Sequence, residues 1–289
     1  MGERERMLRQ VDRVQIAVRD LAAAATTISE ILDARQVRHD EVEPLRARRL
    51  TMRAGGAFIE ILEPREPGPV ADFVQRWGGG LFAAGFSVPD LNRAAERLES
   101  ARARFEDSGG QLFVEPSATF GMRVVLSPYQ EYRQPGLIKG IYEVTNVVAD
   151  WRAAAERYTS LFGLDSSRFV PITSEQFGYT GSLLMFDAPA RLDRIELAQI
   201  TEPDKAMGRF YARRGDSLYM FFVEADDVDA IEARLKRCQA RYAPERRDEA
   251  GLATLFIHPS AFCGVLVGVS RTETAWMWSG DPQRARRAP

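Results

Sequence analysis

Histidine and cysteine, the side chains that most often bind transition metals, are scarce in this sequence. The 289 residues include only two histidines, His39 and His258, and two cysteines, Cys238 and Cys263. A zinc, iron, nickel or manganese centre usually takes three or four protein donors, with imidazole prominent for the softer ions. The sequence therefore favours general acid–base catalysis by carboxylates, with arginines to stabilise negative charge.

A repeat positions the residues that could do this chemistry. The two halves of the chain contain the same three motifs in the same order. The matching segments are 11–20 with 141–150, 73–78 with 210–215, and 112–118 (LFVEPSA) with 255–261 (LFIHPSA). Matches of this length, in one order and at a near-constant offset, predict an internal duplication.

Each half contains the same pattern twice: an apolar strand, then an Asp, then a helix. One example is strand 81–88, followed by Asp90 and by helix 91–98, whose apolar residues recur at helical spacing. The Asp can cap the helix by accepting backbone N–H bonds. The segments after each helix have the β-branched and aromatic content of strands. The sequence therefore predicts four modules, each a strand, a helix and about three strands.

The modules are predicted to pair, because one alone would bury too little apolar surface. The predicted domains are 8–132, with modules 11–66 and 80–128, and 137–272, with modules 138–202 and 216–270; a C-terminal tail follows at 273–289. The stretch 166–181 is predicted as a long irregular loop that could act as a lid.

The bulk composition is that of a water-soluble globular protein. The 39 Lys and Arg residues nearly balance the 41 Asp and Glu residues, so neither nucleic acid nor a membrane is expected as a partner. The mixed-charge N-terminus lacks the apolar segment of a signal peptide. Two cysteines are too few for a disulfide framework and fit a reducing compartment. We therefore expect a cytoplasmic protein.

Three segments resemble the vicinal oxygen chelate (VOC) superfamily, the glyoxalase and bleomycin-resistance group. They are VDRVQIAVRDL at 11–21, IEILEP at 59–64, and HPS at 258–260 with GVLV at 264–267. They look most like methylmalonyl-CoA epimerase-like members, and the resemblance covers roughly 11–270. It implies an α+β fold of four βαβββ modules in two tandem pairs. Each pair would form a cup-shaped mixed β-sheet with the helices outside.

In that superfamily the first and fourth strands of two paired modules bind a metal. The resemblance places these positions at Arg13, Glu60, Ala83 and Val125 in the first pair, and at Glu143, Glu196, Met220 and Gly268 in the second. Arginine carries a permanent positive charge that repels a cation. We therefore predict no metal cofactor. A weakly bound divalent metal at Glu143 and Glu196 is the alternative.

Every second residue of a strand projects to the same face, so residues two positions from these ones should face the same cup. The first cup gains Gln15 and Arg123. The second gains Thr145, Arg194, Phe222 and Glu224. Trp276 either lies over a cup mouth or packs a terminal segment. In the first cup, Glu60 among cationic groups suits either a salt-bridged core or the capture of an anionic substrate.

In the second cup, two facing carboxylates should repel, so that the pKa of one rises and makes it a candidate general base. Arg194 is the candidate cation for an enolate oxygen. The predicted catalytic residues are Glu143, Glu196, Arg194 and Glu60. The predicted substrate-binding residues are Arg13, Gln15, Arg123, Thr145, Phe222, Glu224 and Trp276. An alternative makes Glu143 and Glu196 rim residues paired with surface arginines.

The predicted function is an isomerase, epimerase or lyase that acts on a small carbonyl or thioester by proton transfer through an enolate. The alternative is a metal-free protein that binds or sequesters a small ligand. An extradiol dioxygenase is disfavoured, because that group needs two His and a Glu where this chain has Glu143, Met220 and Gly268. The expected partner is a small molecule, and the chain is expected to be a monomer (pseudo-dimer) or a homodimer.

Overall fold

The computed structural model describes residues 7–130, 136–188, 190–277 and 279. Its first half holds two βαβββ modules joined by a helix. Module 1 is β1 (Gln10–Ala17), α1 (Leu21–Leu32), β2 (Arg35–Val42), β3 (Ala47–Ala54) and β4 (Ala57–Pro64). Helix α2 (Pro69–Trp77) leads to module 2, which is β5 (Gly80–Val88), α3 (Leu91–Ser100), β6 (Phe105–Ser108), β7 (Gln111–Val114) and β8 (Arg123–Pro128).

The second half repeats this order of elements. Module 3 is β9 (Gly140–Val147), α4 (Trp151–Phe162), β10 (Phe169–Ser174), β11 (Tyr179–Met185) and β12 (Arg194–Ile200). Helix α5 (Ala206–Arg214) leads to module 4, which is β13 (Ser217–Glu224), α6 (Val228–Arg237), β14 (Tyr242–Asp248), β15 (Gly251–Ile257) and β16 (Leu266–Ser270). A short helix, α7 (Thr272–Met277), lies in the predicted tail.

The strands form two mixed eight-stranded sheets. Their orders are β2-β3-β4-β1-β5-β8-β7-β6 and β10-β11-β12-β9-β13-β16-β15-β14, so the second repeats the first. In each sheet the first and fourth strands of a module are parallel neighbours, as in β1 with β4 and β9 with β12. The predicted α+β class, with four βαβββ modules in two tandem pairs, is confirmed.

The chain also divides into two compact units that are not continuous in sequence. Unit 1 takes the described residues within 1–11, 84–130 and 143–219, and unit 2 those within 12–83, 131–142 and 220–289. Each sheet is built from one half of the sequence, whereas each unit takes residues from both halves. The domain bounds proposed from the sequence therefore stay a prediction.

Each module helix begins where the sequence places an Asp. Asp20, Asp90, Asp150 and Asp227 have extended backbones, and their side chains accept N–H bonds from the first turns of α1, α3, α4 and α6. These bonds satisfy donors that a helix start leaves unpaired. Each cap fixes where the first strand of its module ends. In the described part of the chain, no helix combines the length and the apolar character needed to cross a membrane.

Strand register aligns the candidate carboxylates within the two halves. Glu60 lies opposite Gln15 of β1 and Thr51 of β3, in one row across three strands. In module 3 the equivalent row is Thr145 of β9, Glu196 and Leu183 of β11. Because paired residues project to the same face of a sheet, each row forms one line of side chains.

Candidate functional site

In unit 2, Glu60 is held by cationic side chains. Its Oε1 accepts hydrogen bonds from Arg13 Nη1 at 2.7 Å and from Arg49 Nη1 at 3.3 Å. Its Oε2 accepts from Gln15 Nε2 at 2.8 Å. Arg49 also binds Asp40 through two N–H···O bonds of 2.9 and 2.7 Å. Glu60 is therefore the centre of a buried ion-pair network.

This network keeps Glu60 ionised. Burial alone would raise the pKa of Glu60, but the charges of Arg13 and Arg49 and the bond from Gln15 lower that pKa below its usual value. Arg13 is further held by Asp12 at 2.7 Å. A carboxylate whose charge is balanced by bound cations in this way is a weak proton acceptor. Of the two sequence interpretations, the salt-bridged core describes Glu60.

In unit 1, Glu196 is held by neutral hydroxyl groups. Its Oε2 accepts a hydrogen bond from Thr145 Oγ1 at 2.6 Å, and its Oε1 accepts one from the Tyr179 hydroxyl at 2.6 Å. Only 7% of its surface is exposed. Burial, and then the charge of Glu143, raise the pKa of Glu196 to about 7, although the two hydroxyl bonds and Arg194 oppose the rise.

Glu143 and Arg194 form a buried ion pair beside Glu196. Arg194 Nε lies 2.5 Å from Glu143 Oε2, and the two side chains are 2% and 5% exposed. Glu143 and Arg194 are register partners on β9 and β12. The alternative that Glu143 and Glu196 are rim residues is therefore wrong. The pair keeps a cation close to Glu196.

Apolar side chains surround the Tyr179 side of this cluster. Tyr179 packs in a buried cluster with Val147, Ala198 and Met207. Partly buried hydrophobic residues lie against that cluster: Ile172, Phe177, Ile200, Tyr211 and Tyr219. Low polarity here strengthens the electrostatic interactions of Glu196. The surroundings thus explain why burial contributes most to its raised pKa.

The remaining predicted site residues have other partners. In unit 2, Phe222 contacts Tyr142 and Phe256, with ring centroids 5.8 and 5.6 Å away. Glu224 there accepts a hydrogen bond from the Thr272 hydroxyl and lies 3.6 Å from Lys139 Nζ. Trp276 of α7 is buried. In unit 1, Arg123 begins β8 and is half-buried. Their assignment to substrate binding stays a prediction.

Sequence reasoning missed Arg49 and Tyr179, which bind the candidate carboxylates, and Asp40, which binds Arg49. Asp40 and Arg49 come from the second and third strands of module 1, whose registers the sequence does not reveal. Tyr179 falls in the stretch 166–181, predicted as an irregular loop. That prediction is wrong, because β10 and the start of β11 form a paired hairpin there. The available signal was the polar residues Thr180 and Ser182 at every second position, followed by the apolar run 183–185.

Comparison with known proteins gives a match by sequence that covers module 1 and most of module 2. Residues 12–116 match the Glyoxalase/Bleomycin resistance protein/Dioxygenase superfamily. The resemblance to the vicinal oxygen chelate superfamily is confirmed. No curated protein matches the chain.

Solved structures show a likeness of fold over most of the chain. A triple mutant of 4-hydroxymandelate synthase from Streptomyces coelicolor is 15% identical, with a TM-score of 0.66, over 91% of this chain and 93% of that one. A xylose isomerase-like TIM barrel/4-hydroxyphenylpyruvate dioxygenase fusion protein is 14% identical, with a TM-score of 0.65, over 94% of this chain and 50% of that one. Identities this low show a likeness of fold alone.

A further structure covers about half of the chain. Methylmalonyl-CoA epimerase from Mycobacterium tuberculosis is 27% identical over 47% of this chain and 89% of that one, with a TM-score of 0.40. That score is too low to support an argument.

The metal that VOC proteins bind does not fit the residues at the equivalent positions. The oxygens of Glu60 are bonded to Arg13, Arg49 and Gln15. Glu143 is paired with Arg194. Over the described ranges, no three His, Cys, Asp or Glu side chains converge as a metal site would require. A guanidinium in contact with a carboxylate supplies the positive charge there instead. Metal binding at Glu143 and Glu196 stays untested.

Proposed function

We propose that this protein transfers a proton on a small carbonyl or thioester substrate through an enolate, as an isomerase, epimerase or lyase, with Glu196 as the base. The observation that carries the proposal is the state of Glu196. It is a buried carboxylate with a pKa of about 7, and it accepts hydrogen bonds from the neutral hydroxyls of Thr145 and Tyr179. A general base works best when its pKa lies near the working pH.

The reaction follows from the groups around Glu196. The ionised carboxylate removes the proton from the carbon beside the carbonyl, and the electron pair of that C–H bond moves to form the enolate. The positive charge of Arg194, two residues away on β12, favours negative charge developing nearby. In an isomerisation the same carboxyl group then gives its proton to another atom of the enolate. In an epimerisation the enolate carbon takes a proton from water on its opposite face, and Glu196 releases its own proton to water. In a lyase reaction a group on the neighbouring carbon leaves with its bonding electron pair and takes the proton. No proton is gained or lost overall.

Loss of hydrogen from substrate in D2O tests this function. The protein is incubated with a panel of small acyl thioesters and α-hydroxy ketones, and 1H NMR follows the signal of the hydrogen beside the carbonyl. We expect exchange with at least one compound class, and Glu196→Gln slows it about 10²–10⁴-fold. Glu232→Gln is the control. It changes a buried carboxylate of α6 that binds Lys236 and Tyr242.

Exchange by E196Q at the wild-type rate would show that another group is the base. Exchange lost equally in E196Q and E232Q would indicate a general loss of folding.

A second candidate function is metal-free binding of a small ligand, and a separate observation in unit 2 favours it. Gln15 Oε1 and Thr51 Oγ1 flank Glu60 in its row, are buried, and have no hydrogen-bond partner among the described residues. Buried polar atoms normally have partners, which a ligand or bound water would supply. A thermal-shift screen of the same panel tests this role. A ligand that stabilises the protein, loses its effect in Thr51→Val and exchanges no proton supports binding.

A further inference from the structure

Modules 1 and 3 hold equivalent carboxylates in different ways. In module 1, register places Arg49 two residues before Thr51, the partner of Glu60 on β3. In module 3, the residue two before Leu183, the partner of Glu196, is Gly181. The third strand thus offers a guanidinium to Glu60 and no side chain at the same position beside Glu196.

Glycine at this position is required by the backbone. A Cβ on Gly181 would lie 1.8 Å from the carbonyl oxygen of Leu197, so no other residue fits without a shift of the strands. Tyr179, two residues before it, lies opposite Ile200, four residues along β12 from Glu196. Its hydroxyl nevertheless reaches Glu196 Oε1 at 2.6 Å. The ring therefore runs along the sheet, past the position where Gly181 carries no side chain.

We propose that Tyr179 is the positioning residue of the base: its hydroxyl fixes Glu196 Oε1 where module 1 uses the guanidinium of Arg49. This inference rests on the proposed role of Glu196. Thr145 holds the other oxygen at 2.6 Å, so the two hydroxyls together fix the plane of the carboxylate. A neutral donor orients the carboxylate without the positive charge that makes Glu60 a weak base.

The groups that face Glu196 define what a Tyr179 variant changes. They are Glu143 and Thr145 from β9, Arg194 from β12 itself, and Tyr179 from β11. Glu143 disfavours the charged form of Glu196, whereas Arg194 and the two hydroxyls favour it. Burial raises the pKa of the Tyr179 phenol, and the charge of Glu196 raises it further, so the phenol stays protonated as a hydrogen-bond donor.

Tyr179→Phe removes this one bond, and Tyr158→Phe is its matched control. Tyr158 is a buried tyrosine of the same unit whose hydroxyl bonds to Thr119 O and Asn146. The full chain is labelled with 13C in the glutamate carboxyls, and Glu196 is titrated by NMR from pH 5 to 9. The signal missing in E196Q assigns it. A hydrogen bond to a charged group contributes about 1.5–3 kcal/mol, so we expect Y179F to raise the pKa of Glu196 by about one to two units. Y158F leaves it in place.

An unchanged Glu196 pKa in Y179F, or an equal change in Y158F, overturns the inference. If Y179F does not fold, the wild-type protein labelled at Tyr Cζ gives the answer. The chemical shift of Tyr179 Cζ must then change with pH at the same midpoint as the carboxyl signal of Glu196. A Tyr179 shift that does not change at that midpoint also overturns the inference. The readout needs no turnover. A shifted pKa in a protein that exchanges no substrate proton leaves the positioning role intact and removes the proposed function.

Discussion

Glu60 and Glu196 occupy equivalent positions on the fourth strands of modules 1 and 3, yet their pKa values are shifted in opposite directions. Part of the cause lies on the first strand. The position that holds Arg13 beside Glu60 holds Glu143 beside Glu196. Arg13 and Arg49 lower the pKa of Glu60 against the effect of burial, whereas burial, and then the charge of Glu143, raise that of Glu196 to about 7. One module therefore has a structural carboxylate and the other a candidate base.

Stability should depend on pH through Glu196. Its pKa is raised in the folded state, so its contribution is fully present below about pH 4.5 and is lost as pH rises through about 7. The difference amounts to roughly 3 kcal/mol. Glu196→Gln mimics the protonated form and should match the wild type at pH 4.5, then exceed it in stability by pH 8. Urea unfolding at both pH values measures this. Parallel pH curves for the two proteins would contradict it.

Arg13→Met should destabilise the protein by about 3 kcal/mol, because it leaves the buried Glu60 short of one of its two cations. Removing both charges in Arg13→Met with Glu60→Met should cost less than the single change, since Asp12 loses Arg13 in both variants but only the single change leaves the Glu60 charge buried short of a cation. Denaturant unfolding of the singles and the double gives the coupling energy. If the changes in unfolding free energy of the two single variants add up to that of the double, Arg13 and Glu60 do not interact, which would contradict the ion-pair network.

Glu143→Gln should lower the pKa of Glu196, because it removes the nearby negative charge that raises this pKa. We expect the pH at half-maximal proton exchange to fall by about one unit. The pH profile of exchange measures the midpoint. A midpoint that stays in place or rises would mean that Glu143 does not act on Glu196 through charge.

Gly181→Ala should be strongly destabilising, by about 2 kcal/mol or more, because the new Cβ meets a backbone oxygen of the neighbouring strand. Gly140→Ala is the control, since a Cβ on Gly140 at the start of β9 meets nothing within 4 Å. Thermal unfolding of both variants compares them. Equal melting temperatures would indicate that β11 can move away from β12 at no cost.

The sequence predicts the fold well because its signals are local and repeated. An Asp before each module helix, such as Asp90, marks where a strand ends and a helix begins. The site is predicted in part. Alternation on β9 and β12 gives Thr145 and Arg194 beside the carboxylates, since it needs only the identity of two strands. The sequence does not predict Tyr179. Its hydrogen bond to Glu196 depends on the absence of a side chain at Gly181 and on a hairpin where the sequence predicts an irregular loop.

The most direct test of the account is the titration of Glu196 in the wild-type protein. With 13C-labelled glutamate carboxyls, the account predicts one carboxyl signal that titrates near pH 7 and is absent from Glu196→Gln. A spectrum in which every glutamate carboxyl, Glu196 included, titrates below about pH 5.5 would contradict the claim that this buried carboxylate is poised as a base.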